Sequence, residues 1–315
     1  MIVVTGGAGF IGSNLVRALN ARGRGDVVVV DDLRDGHKFV NLAASEIADY
    51  FDRDELLERL QTGSIERPEA IFHQGACAVT TEWDGRYMLE NNYRYSVRLY
   101  EYCVANSVPL IYASSAAVYG ASKTFREDDR AAERPLNVYG YSKLLFDQYV
   151  RRHETRAHSQ VVGLRYFNVY GPGEAHKGSM ASVAFHLRRQ VVEQGEARLF
   201  EGSGGYAAGE QRRDFVYVGD VANVNLWLLD HPRVSGIFNV GTGASASFND
   251  VARAIIAGLG KGTVRYIPFP PELAASYQSF TQADISALRA AGYGAPFKDV
   301  RAGIASYLDA LGASP

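Results

Sequence analysis

Cysteine is nearly absent from this sequence: Cys77 and Cys103 are the only two in 315 residues. Two cysteines make no disulfide framework, and no C-x-x-C pair supplies a metal-ligand spacing, so no metal site is expected. Both read as small buried thiols. No apolar run approaches the ~20 residues that cross a bilayer. The opening MIVVTGGAGF lacks the basic region, apolar stretch and cleavage site of a signal peptide. The expectation is a cytoplasmic protein without a membrane partner. An excess of one charge is missing too: 33 Lys and Arg against 35 Asp and Glu leave a net charge of −2. No basic run forms a stripe for nucleic acid. Any anion bound here is held by local geometry rather than by the overall field. What is present is 47% hydrophobic and 22% charged residues, ordinary for a globular protein and ample for one large domain or two closely packed ones.

The first half alternates short apolar runs with helical patterns. Ile2–Thr5 reads as a strand and Phe10–Ala21 as a helix with Ile11, Leu15, Val16 and Leu19 on one face. Val27–Asp31, Ala70–His73, Leu110–Ser114 and Gln160–Arg165 read as further strands, with helices near Tyr87–Asn106 and over Tyr139–Glu154. Continuous β-branched runs separated by helices predict a doubly wound parallel sheet covered on both faces, the Rossmann class of α/β fold. The second half is less regular. It holds a helix near Ser182–Gln194, a glycine-rich loop Gly202–Gly209, strands over Phe215–Val218 and Ile237–Val240, a helix near Val221–Leu229, a prolyl crossing at Pro268–Pro271 and an amphipathic helix Val300–Leu311. The expected division is a dinucleotide-binding domain over 1–170 and a smaller α/β substrate-binding domain over 171–315, with segments crossing back. The smaller part would act as a lid over the carboxyl ends of the strands, where open α/β sheets bind ligands.

Gly6, Gly9 and Gly12 punctuate the turn between the first strand and the first helix. Glycines let the backbone approach a pyrophosphate closely, and the helix that follows presents N–H groups to its oxygens. A structural glycine turn is the bland alternative, and the strand–turn–helix context weighs against it. Asp31 ends the second apolar run, nineteen residues after Gly12, where an acid would meet the adenosine ribose. Asp31 and Asp32 repel a 2′-phosphate and favour NAD. Arg34, Lys38 and Arg53 supply opposing positive charge. The balance is read as NADP ahead of NAD.

Tyr139 and Lys143 stand four apart on a predicted helix and so share one face. A phenol with a pKa of about 10 is a poor base at neutral pH. A neighbouring ammonium, together with a positive nicotinamide ring, favours its ionised form. Tyr139 would then move a proton on a sugar hydroxyl while hydride moves to or from the cofactor. Y-x-x-x-K is common by chance. Here it follows a strand ending in Ser114-Ser115 by some 25 residues, and Ser115 can hydrogen-bond the same substrate oxygen. An ordinary turn serine is the alternative.

The loop TGGAGFIGSN, the strand end YASSAAVYG and the pair YGYSK resemble extended short-chain dehydrogenase/reductases acting on nucleotide sugars, the NAD-dependent epimerase/dehydratase family. Further stretches, TTEWDGRYM, RYFNVYGPGEAHKGSMASVAFHL, LFEGSGG, RRDFVYVGDVANVN, GIFNVGTG, YIPFP and SFTQAD, resemble its branch of epimerases acting at C6 of ADP-linked heptoses. That branch serves lipopolysaccharide inner-core synthesis. The resemblance implies transient oxidation at C6 and return of hydride to the other face. It implies catalytic roles for Ser115, Tyr139, Lys143 and Lys177, and Lys177 also reads as a solvated loop lysine or a phosphate contact. It implies cofactor contacts at Phe10, Ile11, Asp31, Asp32, Lys38, Arg53, Gln74, Gly75, Ala76, Cys77, Ala78, Asn91, Lys143, Val169 and Lys177. Substrate contacts are implied at Asn168, Ser179, His186, Phe200, Glu201, Gly202, Ser203, Arg213 and Tyr277; physics alone leaves His186 an ordinary half-buried histidine. A homo-oligomer, a pentamer, is implied as the assembly. Two departures stand out. Position 53 is Arg where the family often has Lys, and the loop Gly204–Gln211 is longer than the usual connection. The enzymatic alternative is a UDP-sugar 4-epimerase, which would share the loop, Ser115, Tyr139 and Lys143 without requiring Lys177. A 4,6-dehydratase is disfavoured because the strand end carries no adjacent acids. A non-catalytic dinucleotide-binding module is the alternative of a different class, and both Tyr139 and Lys143 argue against it.

Overall fold

The structure is a computed structural model describing residues 1–270 and 278–312. The chain separates into two compact units, each assembled from three stretches. The first comprises Met1–Gly120, Glu133–Tyr166 and Ala222–Phe238. The second comprises Ala121–Ala132, Phe167–Val221 and the chain from Asn239 onward.

The first unit is built on strands β1 (Ile2–Thr5), β2 (Val27–Asp31), β3 (Asp49–Asp52), β4 (Ala70–His73), β5 (Leu110–Ser115) and β6 (Val161–Tyr166). They pair in parallel. With β11 (Gly236–Val240) beside β6, the sheet order is β11-β6-β5-β4-β1-β2-β3. The apolar runs expected to be strands are strands. β1, β2, β4 and β6 are buried along their whole length, as a sheet covered on both faces requires. Helix α1 (Phe10–Ala21) buries Phe10, Leu15, Val16 and Leu19. Leu56 and Leu60 of α2 (Arg53–Thr62) join Leu99 and Cys103 of α4 (Tyr95–Asn106) and Phe146 and Val150 of α5 (Val138–Arg152) on one face of the sheet. The α2 and α5 starts are capped by Asp52 and Asn137, whose side chains accept from the backbone N–H groups of Asp54 and Gly140. Neither β3 nor α2 is evident from hydrophobic periodicity.

The expected single helix over Tyr87–Asn106 is not continuous. A short α3 (Gly85–Met88) runs into a wide π turn over Leu89–Arg94 before α4 begins. Buried Asn92 lies in that turn. It accepts from the Cys77 N–H at 2.8 Å, and its amide donates to the Cys77 carbonyl at 3.0 Å and to the Ser142 hydroxyl at 3.1 Å. Such turns tend to mark functional sites within helices.

In the second unit β7 (Asn168–Tyr170) pairs in parallel with β10 (Phe215–Tyr217), and β8 (Glu196–Phe200) with β13 (Thr263–Ile267). β9 (Arg212–Arg213) pairs antiparallel with β12 (Ala246–Ser247). The strand expected over Phe215–Val218 stops at Tyr217, because Val218 opens α7 (Val218–Asp230). Helix α6 (Val183–Gln194) is capped by Ser182, and α8 (Phe248–Leu259) by a Ser247–Asp250 capping box. Leu187 and Val191 of α6, Val251 and Ile255 of α8, and Ile304 and Tyr307 of α10 (Val300–Gly312) form its core. The short α9 (Ser286–Ala290) precedes α10.

A buried polar chain crosses the first unit at the ends of β1 and β4. The Gly75 N–H donates to Thr5 Oγ1 at 3.2 Å, and Thr5 Oγ1 lies 2.6 Å from His73 Nδ1. His73 Nε2 lies 2.8 Å from Ser96 Oγ, which donates to the Asn92 carbonyl at 2.6 Å. The Ser96 proton is committed to that carbonyl, so Nε2 donates and Nδ1 accepts: His73 is neutral. Burial pushes its pKa down to about 3. Below pH 6.5 the unfolded chain takes up a proton that the folded chain refuses until about pH 3. Stability contributed by this site is therefore expected to fall by about 1.4 kcal/mol per pH unit across that window. Urea denaturation of wild type and His73→Gln checks it. A variant as acid-sensitive as wild type between those values removes His73 as the cause.

Candidate active site

The first unit gathers its candidate residues at one edge of the sheet. Gly6 follows β1, Asp31 ends β2, Arg53 follows β3, Gln74 follows β4 and Ser115 ends β5. Parallel strands put all five carboxyl ends on the same side, so residues far apart in sequence become neighbours.

The glycine turn is backbone packed on backbone. Gly6 has φ +66°, and a side chain there would meet the Gly75 backbone at 2.6 Å. A side chain on Gly12 would fall onto the Gly6 carbonyl oxygen. Gly9 caps α1 without a side chain, and the helix has no acid in its first turn. The result is a glycine-walled cradle with a positive helix end, which fits the pyrophosphate of a dinucleotide.

Asp31 does more than was expected of it. One carboxylate oxygen accepts from the Ala8 N–H at 2.8 Å; the other accepts from the Asp32 N–H at 2.7 Å and meets Lys38 Nζ at 2.5 Å. It therefore holds the glycine loop to β2. Arg34 pairs with Asp32 at 2.5 Å and holds its carboxyl down at about 2. Arg53 donates to the Asn91 side chain at 2.6 Å and pairs with Asp54 at 2.9 Å. Two expected cofactor contacts, Arg53 and Asn91, are thus brought together.

Ser115, Tyr139 and Lys143 also converge. Gly140 permits this: a Cβ there would sit 2.6 Å from the Ala117 carbonyl oxygen, so only a bare backbone lets α5 approach the turn after β5. The Ser115 hydroxyl accepts from the Ala117 N–H at 3.1 Å and is near enough to the Tyr139 phenol to draw its pKa downward. Ser142 donates to the Tyr139 carbonyl at 2.7 Å, tying the helix start to Asn92. Lys143 is 5% exposed, and its ammonium donates to the Ala113 carbonyl at 2.8 Å. Burial pulls its pKa down to about 8, opposed by the charge of Asp147. Burial raises the Tyr139 pKa, and Ser115 opposes the rise. The phenol is thus neutral when only the chain's own groups act on it.

The second unit carries the remaining candidates. Lys177 sits in a 3₁₀ turn beside buried Glu174, 3.7 Å from its carboxylate. Glu174 accepts from the Gly171 N–H at 3.2 Å, the Ser182 N–H at 2.6 Å and the Ser182 hydroxyl at 2.7 Å. Burial lowers the Lys177 pKa and Glu174 opposes it. Ser179 is exposed, and His186 is half-buried on α6 against the Phe185 ring. Asn168 and Val169 lie on β7. Arg213 is buried; it donates to the Arg212 carbonyl at 3.1 Å and lies over the Phe248 ring. Phe200 ends β8 and leads into Glu201, Gly202 and Ser203, with the Ser203 hydroxyl accepting from Gln211 at 3.0 Å. The Gly204–Gln211 loop is tied down rather than loose. Asn249 of α8 donates to the Ala208 carbonyl at 2.9 Å and to Glu210 at 2.6 Å. Gly204, Gly205 and Gly209 take left-handed backbone there. Tyr277 lies outside the described residues. Three residues beside these sites were not singled out from sequence: Asn92, Glu174 and Asn225, the last 3.3 Å from the Gln74 amide. Each is a polar side chain fully buried. For Asn92 the one signal was a second asparagine beside Asn91 inside an apolar helical pattern.

Among the described residues no group of His, Cys, Asp and Glu could hold a metal ion, and no helix is long and apolar enough to cross a membrane. Residues 2–241 match the family model described as NAD dependent epimerase/dehydratase family. A relative from Alkalilimnicola ehrlichii, named ADP-L-glycero-D-manno-heptose-6-epimerase, is 58% identical over 100% of this chain and 98% of its own length. The crystal structure of the Helicobacter pylori ADP-L-glycero-D-manno-heptose-6-epimerase superposes with a TM-score of 0.87 at 34% identity, covering 99% of this chain and 96% of that one. A Thermus thermophilus UDP-glucose 4-epimerase in complex with NAD gives 0.80 at 30%, covering 100% and 99%. With its glycine cradle, its Ser-Tyr-Lys convergence and full-length likeness to these proteins, this chain belongs to the NAD dependent epimerase/dehydratase family.

Proposed function

We propose that this chain interconverts ADP-D-glycero-D-manno-heptose and ADP-L-glycero-D-manno-heptose by transient oxidation at C6, with NADP as the bound dinucleotide. The observation that carries the chemistry is the meeting of Ser115, Tyr139 and Lys143 at the end of β5. The substrate rests on the 58% identity to the named heptose epimerase. The reaction would supply heptose for the lipopolysaccharide inner core from the cytoplasm, in a homo-oligomer, a pentamer.

When bound, the nicotinamide supplies a hydride acceptor at C6 and, in its oxidised form, a positive charge near the phenol. Tyr139 takes and returns the proton of the C6 hydroxyl, and Ser115, beside the phenol, orients that hydroxyl. Lys143 fixes the nicotinamide ribose with its remaining donors, since one already goes to Ala113. Lys177 is the second acid/base group. Its burial favours the neutral amine and Glu174 favours the ammonium, which brings a lysine toward the range where it exchanges protons. Arg34 and Lys38 would favour a 2′-phosphate, and hence NADP, by exchanging their pairing with Asp32 and Asp31 for it.

Incubation of purified protein with ADP-D-glycero-D-manno-heptose should yield the C6 epimer by NMR, and the mass of the co-purifying dinucleotide should include the 2′-phosphate. Turnover of UDP-galactose without conversion of the heptose would reject the substrate assignment in favour of a 4-epimerase. Tyr139→Phe is expected to lower kcat by about 10²–10⁴, while near-wild-type turnover would take Tyr139 out of the mechanism. Lys177→Met should abolish epimerisation with the dinucleotide retained; a rise in KM alone would make Lys177 a binding group.

A further inference from the structure

We propose that Asp147 is a positioning residue for this reaction: it sets the register of the Tyr139–Lys143 helix against the strand that ends in Ser115. The inference rests on the roles proposed above for Tyr139 and Lys143.

Tyr139, Lys143, Asp147 and Arg151 recur every four residues along α5. That spacing lays them along one face of a helix. The stripe begins at the phenol and runs into the interior, where Asp147 is 0% exposed. Its carboxylate takes three donors from the two strands beneath. Tyr112 Oη on β5 donates to one oxygen at 3.0 Å. Ser114 Oγ on β5 and Arg165 Nε on β6 both donate to the other at 2.9 Å. Tyr112 and Ser114 are alternate residues of one strand and so share a face, and Ser114 is the immediate neighbour of Ser115. A helix held by these bonds has little freedom to slide or roll. One turn of the helix earlier, Lys143 is bonded to Ala113 of the same strand.

The surroundings are built to accept this carboxylate. Gly163 on β6 leaves the room that the Tyr112 hydroxyl needs, since a Cβ there would collide with it. Arg165 is fully buried and also donates to Glu133 at 2.5 Å, which Arg151 of the same stripe meets at 2.5 Å. Its guanidinium lies over the Tyr119 ring. Interior charges of this kind stand only when paired and hydrogen-bonded.

Asp147 also acts on Lys143 by charge. The ionisable groups facing Lys143 are Asp147 on its own helix, His73 at the end of β4 and Cys77 in the turn after it. Those facing Asp147 are Lys143 on its own helix, Tyr112 on β5 and Arg165 on β6. Asp147 favours the ammonium and burial opposes it. Losing the negative charge would let the Lys143 pKa sink further, so the alkaline limb of activity governed by Lys143 would move to lower pH.

The test measures kcat and KM of full-length protein with its dinucleotide bound, from pH 6 to 10, using ADP-D-glycero-D-manno-heptose. Asp147→Asn keeps the shape and removes the charge. It should lower kcat by about tenfold or more, as misplacement of reacting groups does, with KM changed far less and the alkaline limb displaced to lower pH. Asp147→Glu should restore the limb while kcat stays low, because charge returns but the register does not. Ser114→Ala and Tyr112→Phe each remove one bond and spare the charge. They should lower kcat with the limb in place, and they carry the test if Asp147→Asn does not fold. Folded Asp147→Asn with wild-type kcat and an unmoved limb, or Ser114→Ala and Tyr112→Phe both with wild-type kcat, would overturn the proposal. A purely structural role would lower the melting temperature and leave both kinetic readouts alone. Tyr139→Phe measured alongside separates the two levels. If it is inactive while Asp147→Asn is normal, only the Asp147 inference fails. If it is active, the underlying mechanism fails.

Discussion

A charged nitrogen held inside the protein organises the first unit. Lys143 is nearly inaccessible to water, yet its ammonium points at a backbone carbonyl, that of Ala113, rather than at a carboxylate. A buried ammonium in such company loses hydration that a neutral acceptor only partly replaces. Two features make the arrangement tolerable. Asp147 lies one helical turn away and opposes the loss of charge. The carbonyl itself belongs to the last turn of a strand whose register is fixed by pairing on both sides. On the reading proposed above, the ammonium serves cofactor and phenol alike, and a surface salt bridge would have neutralised that charge.

That logic explains the small residues around it. Gly140 lets the helix close on the turn after β5, Gly163 clears the space for Tyr112, and Gly6 and Gly75 let two loops touch along their backbones. None of these glycines is a flexible joint. Each removes a Cβ where two backbones, or a backbone and a hydroxyl, must come closer than a side chain allows. The polar chain from Gly75 through Thr5, His73 and Ser96 to Asn92 works in the same direction. It locks the ends of β1 and β4 to the π turn, and Asn92 passes the constraint to Ser142 between Tyr139 and Lys143.

Much of this was legible from the sequence, and the reason is physical. The strands are buried on both faces, so their apolar runs are continuous, and Ile2–Thr5 and Val27–Asp31 stand at the limits read for them. The Tyr139–Lys143 spacing and the glycine triplet are local patterns whose geometry follows from helix and turn alone. Features that depend on partners far along the chain were not legible. Asp31 was read for a ribose, but its loop-holding bonds to Ala8 and Lys38 depend on where β2 sits beside the glycine turn. The break in the helix at Leu89–Arg94 has no proline or glycine within it to announce it; within it the Asn92 side chain is held by Cys77 and Ser142. Strand β3 and helix α2 alternate charged and apolar residues too irregularly to show a period. Tyr277 falls outside the described residues.

The two lysines assigned to the chemistry are lowered in pKa by the same cause, burial, but their counter-charges differ in kind. Lys143 has a carbonyl in contact and a carboxylate one turn off. Lys177 has the Glu174 carboxylate itself as neighbour, and that carboxylate is in turn committed to Gly171 and Ser182. Burial raises the pKa of that carboxyl, and the charge of Lys177 with the hydrogen bonds from Ser182 and Gly171 opposes the rise. Lys177 is thus drawn toward the neutral amine by burial and back toward the ammonium by Glu174, whereas Lys143 holds a fixed hydrogen bond to Ala113. An epimerase that oxidises and then reduces one carbon needs both: a cation that never leaves its place, and a group that can give up a proton and recover it.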